Sequence, residues 1–313
     1  MCRIFFMMRS CFPVLFAIFV NEIHCSMKTT FLFLISILMA CRAFALDPRN
    51  PLMAEPQDTV RVQQIIDRLA ASGQPLGERV AMAALEFDGT PEGDYYTTDS
   101  VAALRIDTGS MTPLMLVNNA VALAKASLAS GRPGWRDFVA ELQSVACRRG
   151  EDLGFPSIMY HTSDWIGDNV FRGNLRELTE NFSGVVARTK SLDEMTRYRS
   201  RFAALADSAA FETVRMTEMG YRSHRVPALK RETIGKKEVE QSLRDGDILI
   251  LVPNRDGIDF YDIGVVVMRA DGPHLVHLSP FTRRVEEESD VLSRYFKFAA
   301  KHFQGYRIVR IRN

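Results

Sequence analysis

Five histidines lie beyond residue 46: His161, His224, His274, His277 and His302. Imidazole is the side chain best suited to general-base work or metal ligation near neutral pH. His274 and His277 share one short apolar run, HLVHL, that reads as a strand. Three positions apart, they point to opposite faces and cannot both ligate one metal from that strand. Cys147 is the only cysteine beyond residue 46, which excludes an internal disulfide or a cysteine-rich zinc site there. The sequence contains no GxGxxG, no Walker loop and no HExxH. No metal ion and no cofactor is expected. The densest polar and aromatic cluster is Tyr160-His161-Thr162-Ser163-Asp164-Trp165, followed by Ile166-Gly167-Asp168-Asn169. It reads as a loop-like stretch. One use for it is a binding wall, with Trp165 stacking on a ligand and Asp164 hydrogen-bonding it. The other is a structural corner, with Asp164 capping a helix and Trp165 packed in the core.

The elements that would position these residues follow from hydrophobic periodicity. Thr59 to Ser72 has apolar residues at helical spacing and is stopped by Gly73. Leu76 to Phe87 reads as a second helix, and residues 91–100 as a polar loop. Pro113 to Ser127, PLMLVNNAVALAKAS, reads as an apolar helix buried on most sides, with proline tolerated in its first turn. Pro133 to Cys147 reads as an amphipathic helix. Beyond residue 246 the pattern changes. Asp247 to Val252, Ile263 to Met268 and His274 to Leu278 read as three antiparallel strands, and Tyr306 to Ile311 as a fourth. Val291 to Phe303 reads as helical. Helices followed by a strand meander imply an α+β fold, with N-terminal helices packed on a small antiparallel sheet.

The chain has 313 residues, 39 basic and 38 acidic, of which residues 1–46 contribute four and one. The remainder therefore carries 35 basic and 37 acidic residues. That near balance gives no electrostatic footprint for a nucleic-acid partner. The longest acidic run, Glu286-Glu287-Glu288, reads as a solvated face. Met27-Lys28 begins a basic segment, Thr29 to Ala40 is apolar, and Ala43-Phe44-Ala45 supplies small residues at a cleavage site. The apolar stretch is shorter than the ~20 residues that a membrane span needs. Residues 1–45 are therefore expected to be a secretory signal, with 26 extra N-terminal residues ahead of Met27. The mature protein would start near Leu46, with 46–313 a single domain and no membrane span after cleavage. Leu38-Met39-Ala40-Cys41 resembles a lipobox, so the alternative is an outer-membrane lipoprotein anchored at Cys41. In either case the expected destination is the periplasm or beyond.

Five segments in order resemble the N-acetylmuramoyl-L-alanine amidase-like family of bacterial cell-wall enzymes. Gly89-Thr90-Pro91 is similar to the family's GTP, and Tyr160 to Ile166 to its HYFSDWI. Gly246 to Leu249 resembles its entry to the first core strand. Gly257 to Val265 resembles GLDVSHVGI, and His274 to Ser279 resembles LLHAS. The resemblance implies an NlpC-like, papain-type core and a substrate class of peptidoglycan stem-peptide amides. It also implies a cysteine nucleophile entering a buried helix, a histidine base, and a polar residue on the next strand that orients the base.

This sequence departs from that pattern at the chemistry. The segment matching the family's DCTTFVE is Asp107 to Val117, without cysteine, so Ser110, Met111 or Pro113 fills the nucleophile slot. Asp262 stands where the family has its base histidine, while His277 matches the third position. The leading expectation is a catalytically degenerate envelope protein that binds muropeptide or another envelope ligand through Tyr160, His161, Asp164 and Trp165. One alternative is an active hydrolase with a rearranged site, Ser110 the nucleophile, His277 the base and Asp262 its orienter. The other is a scaffold for protein contacts.

Overall fold

Alternation along the strands sorts the core into two layers. In the computed structural model, which describes residues 54–93 and 104–312, Ile263, Val265 and Val267 face one side of the sheet with Val276 and Leu278. Val266 and Leu275 face the other side, with Leu249 and Leu251. A period of two in side-chain direction makes this division automatic once the register is set.

The helices are α1 (Pro56–Ala71), α2 (Leu76–Leu85), α3 (Pro113–Ala126), α4 (Trp135–Ala146) and α5 (Thr162–Phe171). The short α6 (Glu194–Arg197), then α7 (Ser208–Gly220), the short α8 (Lys237–Glu240) and α9 (Leu292–Phe298) complete them. The strands are β1 (Leu175–Glu177), β2 (Val185–Lys190), β3 (His224–Leu229), β4 (Ile248–Pro253), β5 (Asp262–Arg269), β6 (Gly272–Leu278), β7 (Val285–Glu287) and β8 (Phe303–Ile311). They form one sheet ordered β2-β3-β8-β4-β5-β6-β7, with β1 on β8, and every pairing is antiparallel. The fold class is thus α+β, as expected, but the sheet has eight strands instead of four.

Helix α3 is the hub of the helical layer. Apart from Pro113, Met115 and Lys125, all its residues are buried. Its small side chains let α2 and α4 approach, and its outer face rests on β5. The second core layer, on the opposite side of the sheet, is closed by α9 through Leu292, Tyr295 and Phe296. Two glycines fix the join between helices and sheet. A Cβ at Gly246, which has φ near +80°, would lie 2.2 Å from the Gly77 carbonyl oxygen, so only glycine fits. The expected leader, the lipobox at Cys41 and most of the 91–100 loop lie outside the described residues. Among the described residues, no helix is long and apolar enough to cross a membrane.

Candidate functional site

Asp262 opens β5 and His277 sits near the end of β6. His277 pairs across the strands with Gly264, two residues after Asp262, so all three share a face. A Cβ at Gly264 would come within 2.8 Å of the His277 Cβ; its absence lets the imidazole lie over the neighbouring strand. His277 Nδ1 lies 2.7 Å from Asp262 Oδ2, and the Tyr295 hydroxyl donates to the same oxygen at 2.6 Å. The Tyr295 ring meets the imidazole edge-on at 5.3 Å. An ionised carboxylate only accepts hydrogen bonds, so Nδ1 carries a proton. His277 is fully buried, and its Nε2 has no hydrogen-bond partner. Burial pushes the His277 pKa down, but the charge and hydrogen bond of Asp262 outweigh it and raise it above the ordinary value.

Ser110 is built into a different corner. Its Oγ donates to Asp107 Oδ2 at 2.8 Å. Met111 is buried, and Thr112 caps α3 by accepting from the Met115 amide, which leaves Pro113 as the first helical residue. Of the three residues considered for the nucleophile slot, only Pro113 occupies the helix N-terminus. Segment 89–93 hydrogen-bonds to β7 on one side and to Met111 on the other. With neighbouring segments ~4.8 Å apart, β7 and 89–93 intervene between β6 and Ser110. Ser110 therefore lies beyond two intervening segments from His277. The structure brings Asp262 to His277 but does not bring Ser110 to either. Cys147 ends α4 fully buried, and burial pushes its thiol up to about 12.

The SDW segment is helical instead of loop-like, because its N-terminal amides find a distant acceptor. The amides of Thr162 and Ser163 donate to the two oxygens of Asp259, at 3.0 and 2.5 Å. Asp259, fully buried, takes the role that the sequence suggested for Asp164. Asp164 instead pairs with Arg148 and accepts from the Tyr221 hydroxyl at 3.0 Å. Trp165 has no solvent exposure, and its Nε1 donates to Asn118 Oδ1 on α3 at 2.9 Å. It has no ring face open for stacking on a ligand. His161 is buried too, with Nε2 2.9 Å from Glu218 Oε1 on α7. Glu218 also accepts from the amides of Met195 and Thr196 and from the Thr196 hydroxyl. Burial raises the Glu218 pKa, but these bonds, the one to His161 foremost, bring it below the ordinary value. Tyr160, half-buried, packs edge-on against His161 and Phe202. The four residues expected to bind ligand thus form an internal brace joining α3, α5, α7 and the turn that follows α4.

An open groove of about 1050 Å³ lies between α1 and the 105–109 segment, with Arg61, Arg68, Glu86, Arg105 and Asp107 among its lining. Sequence reasoning missed it, since its charges are spread over three separate segments.

The family model for N-acetylmuramoyl-L-alanine amidase-like proteins matches residues 85–300. Among solved structures, an N-acetylmuramoyl-L-alanine amidase from Bacteroides uniformis is 20% identical, with a TM-score of 0.67 over 76% of this chain and 99% of its own. A candidate xylanase from Bacteroides fragilis is 24% identical, with a TM-score of 0.65 over 74% of this chain and 100% of its own. A protein from Legionella pneumophila strain Philadelphia 1 is 12% identical, with a TM-score of 0.64 over 82% and 95%. At such identities these likenesses show a common fold. A search of curated proteins finds no match.

Proposed function

The chain belongs to the N-acetylmuramoyl-L-alanine amidase-like family, and from that premise we propose that it is an exported cell-envelope protein that binds muropeptide without thiol-dependent cleavage. The observation that carries this reading is the N-terminus of α3, where Pro113 offers neither thiol nor hydroxyl. A thiol amidase needs a thiolate poised beside a base. Cys147 is buried on another helix with its pKa raised, which disfavours that role. Ser110 spends its hydroxyl on Asp107, apart from His277, which disfavours the rearranged serine site.

The open groove between α1 and segment 105–109 offers both signs of charge. Stem peptides carry carboxylates and amines, which can exchange with the Arg68–Glu86 and Arg105–Asp107 pairs that line the groove. Export follows from the leader sequence, with residues 46–313 as the mature domain, secreted or periplasmic, or tethered through Cys41 if the lipobox is used. The test is calorimetric titration of the purified protein with soluble muropeptides, beside incubation with peptidoglycan with and without a thiol alkylator. Saturable binding without product release is expected. Turnover abolished by alkylation would refute the reading. Turnover that resists alkylation but is lost in Ser110→Ala would replace it with the serine hydrolase.

A further inference from the structure

The acidic run Glu286-Glu287-Glu288 does not form one solvated face. Glu287 turns away to a bidentate pair with Arg269. Glu286 lies directly across from His277 in the β6–β7 register, so the two side chains share a face. Glu288, two residues on, returns to that same face, and its amide donates to the Leu275 carbonyl, which holds it against β6. One ligand atom from each of His277, Glu286 and Glu288 lies within 4.8 Å of the other two. Both glutamates are half-buried, and His277 is fully buried.

The independent observation is the orphan Nε2 of His277. It is aimed at Glu288, whose Oε2 lies 3.9 Å away, beyond hydrogen-bonding distance. Neither protonation state of the ring gives Nε2 a hydrogen bond. A bare Nε2 sets a lone pair against carboxylate oxygens. A protonated one makes an ion pair with Glu288 but leaves its N–H without a hydrogen bond. A cation between the three groups satisfies all of them. The other ring nitrogen is already arranged for this. Nδ1–H donates to Asp262, which is held in turn by Tyr295. A carboxylate on the far nitrogen is the usual support of a metal-bound imidazole, since it fixes the tautomer that exposes the Nε2 lone pair.

We propose that His277 Nε2, Glu286 and Glu288 bind a divalent transition-metal ion of the zinc class, with Asp262 and Tyr295 orienting the imidazole. One nitrogen and two carboxylates suit zinc better than magnesium, which prefers an all-oxygen, largely hydrated shell. Zinc–ligand bonds of about 2.0–2.2 Å require the half-exposed glutamates to close in by rotamer adjustment. Three protein ligands, two of them half-buried glutamates, leave a fourth position for water, as open zinc sites do. This inference rests on these five side chains and holds whether or not the protein binds muropeptide.

The test is calorimetric titration of the purified protein with zinc chloride, paralleled by cobalt(II) absorption and magnesium as a control. One zinc per chain is expected, with a cobalt spectrum of low coordination number and no saturable magnesium binding. Glu288→Gln and Glu286→Gln should each weaken zinc by at least about tenfold. Glu287→Gln, on the opposite face, should not. Circular dichroism establishes that each variant is folded. Nitrogen chemical shifts of the His277 ring in the unmutated protein give a readout that needs no variant, since Nε2 alone should move on metal addition. Absence of saturable zinc binding, binding undiminished in both Gln variants, or an unmoved Nε2 signal would each overturn the proposal.

Discussion

Trp165 and Cys147 show how burial decides the part that a side chain can play. The indole is enclosed, and its one polar atom is used by Asn118. Trp165→Phe would keep most of the packing but leave the buried Asn118 oxygen unpaired, which costs about 1–3 kcal/mol. Trp165→Ala would add a cavity, for a total of about 3–5 kcal/mol. Chemical denaturation of both variants measures the difference; equal losses would mean that the cavity adds nothing, and an unchanged Trp165→Phe variant would mean that the hydrogen bond contributes nothing. Cys147 should resist iodoacetamide in the native protein and react once denaturant opens α4, which mass spectrometry reads directly. Residue identity alone left Trp165 and Asp164 each with two possible uses. The choice between them depended on Asn118, Arg148, Tyr221 and Asp259, and nothing local in the sequence marks those as partners.

Helix α5 owes its start to a residue 97 positions away in sequence. Asp259→Ala removes the acceptor for two buried amides, and about 2 kcal/mol is expected by analogy with other lost caps. Asp259→Asn keeps an acceptor and should cost less. Thermal melts of the pair would rank them, and no difference would assign the effect to packing. Glu218 plays a comparable part for α7, joining it to His161 and to the start of α6. Its folded pKa is depressed, so it contributes stability above its ordinary value near 4.5 and loses it as pH falls through the lower folded value. Glu218→Gln should therefore flatten the acid limb of a stability-against-pH profile. The long apolar helices and strands β4, β5, β6 and β8 were legible because each carries a clear hydrophobic period. Strands β1, β2, β3 and β7 were not. They are short or rich in charge, as in Leu175–Glu177 and Val185–Lys190, and only their neighbours make them strands. The start of α3 was legible as a helix, but only the structure singles out Pro113 as its first residue. Pro113→Cys alone should yield no measurable hydrolysis of stem peptides, because nucleophile, base and orienter act as a unit.

For the molecule as a whole, the position of β8 has a consequence for biogenesis. The last strand of the chain lies between β3 and β4, near the middle of the sheet, and also carries β1. β1, β3 and β4 therefore all await a partner that is made after them. Until residues 303–311 emerge, β1, β2 and β3 have no route to join β4, and the surfaces of both core layers stay incomplete. Such long-range pairing folds slowly. An export route that takes unfolded chains would suit this topology, which delays closure of the sheet until residues 303–311 are available. Removing residues 303–313 should leave a chain with no cooperative thermal transition. A chain that carries residues 303–311 should gain protease resistance in a single step on refolding from denaturant, which a time course of digestion can follow.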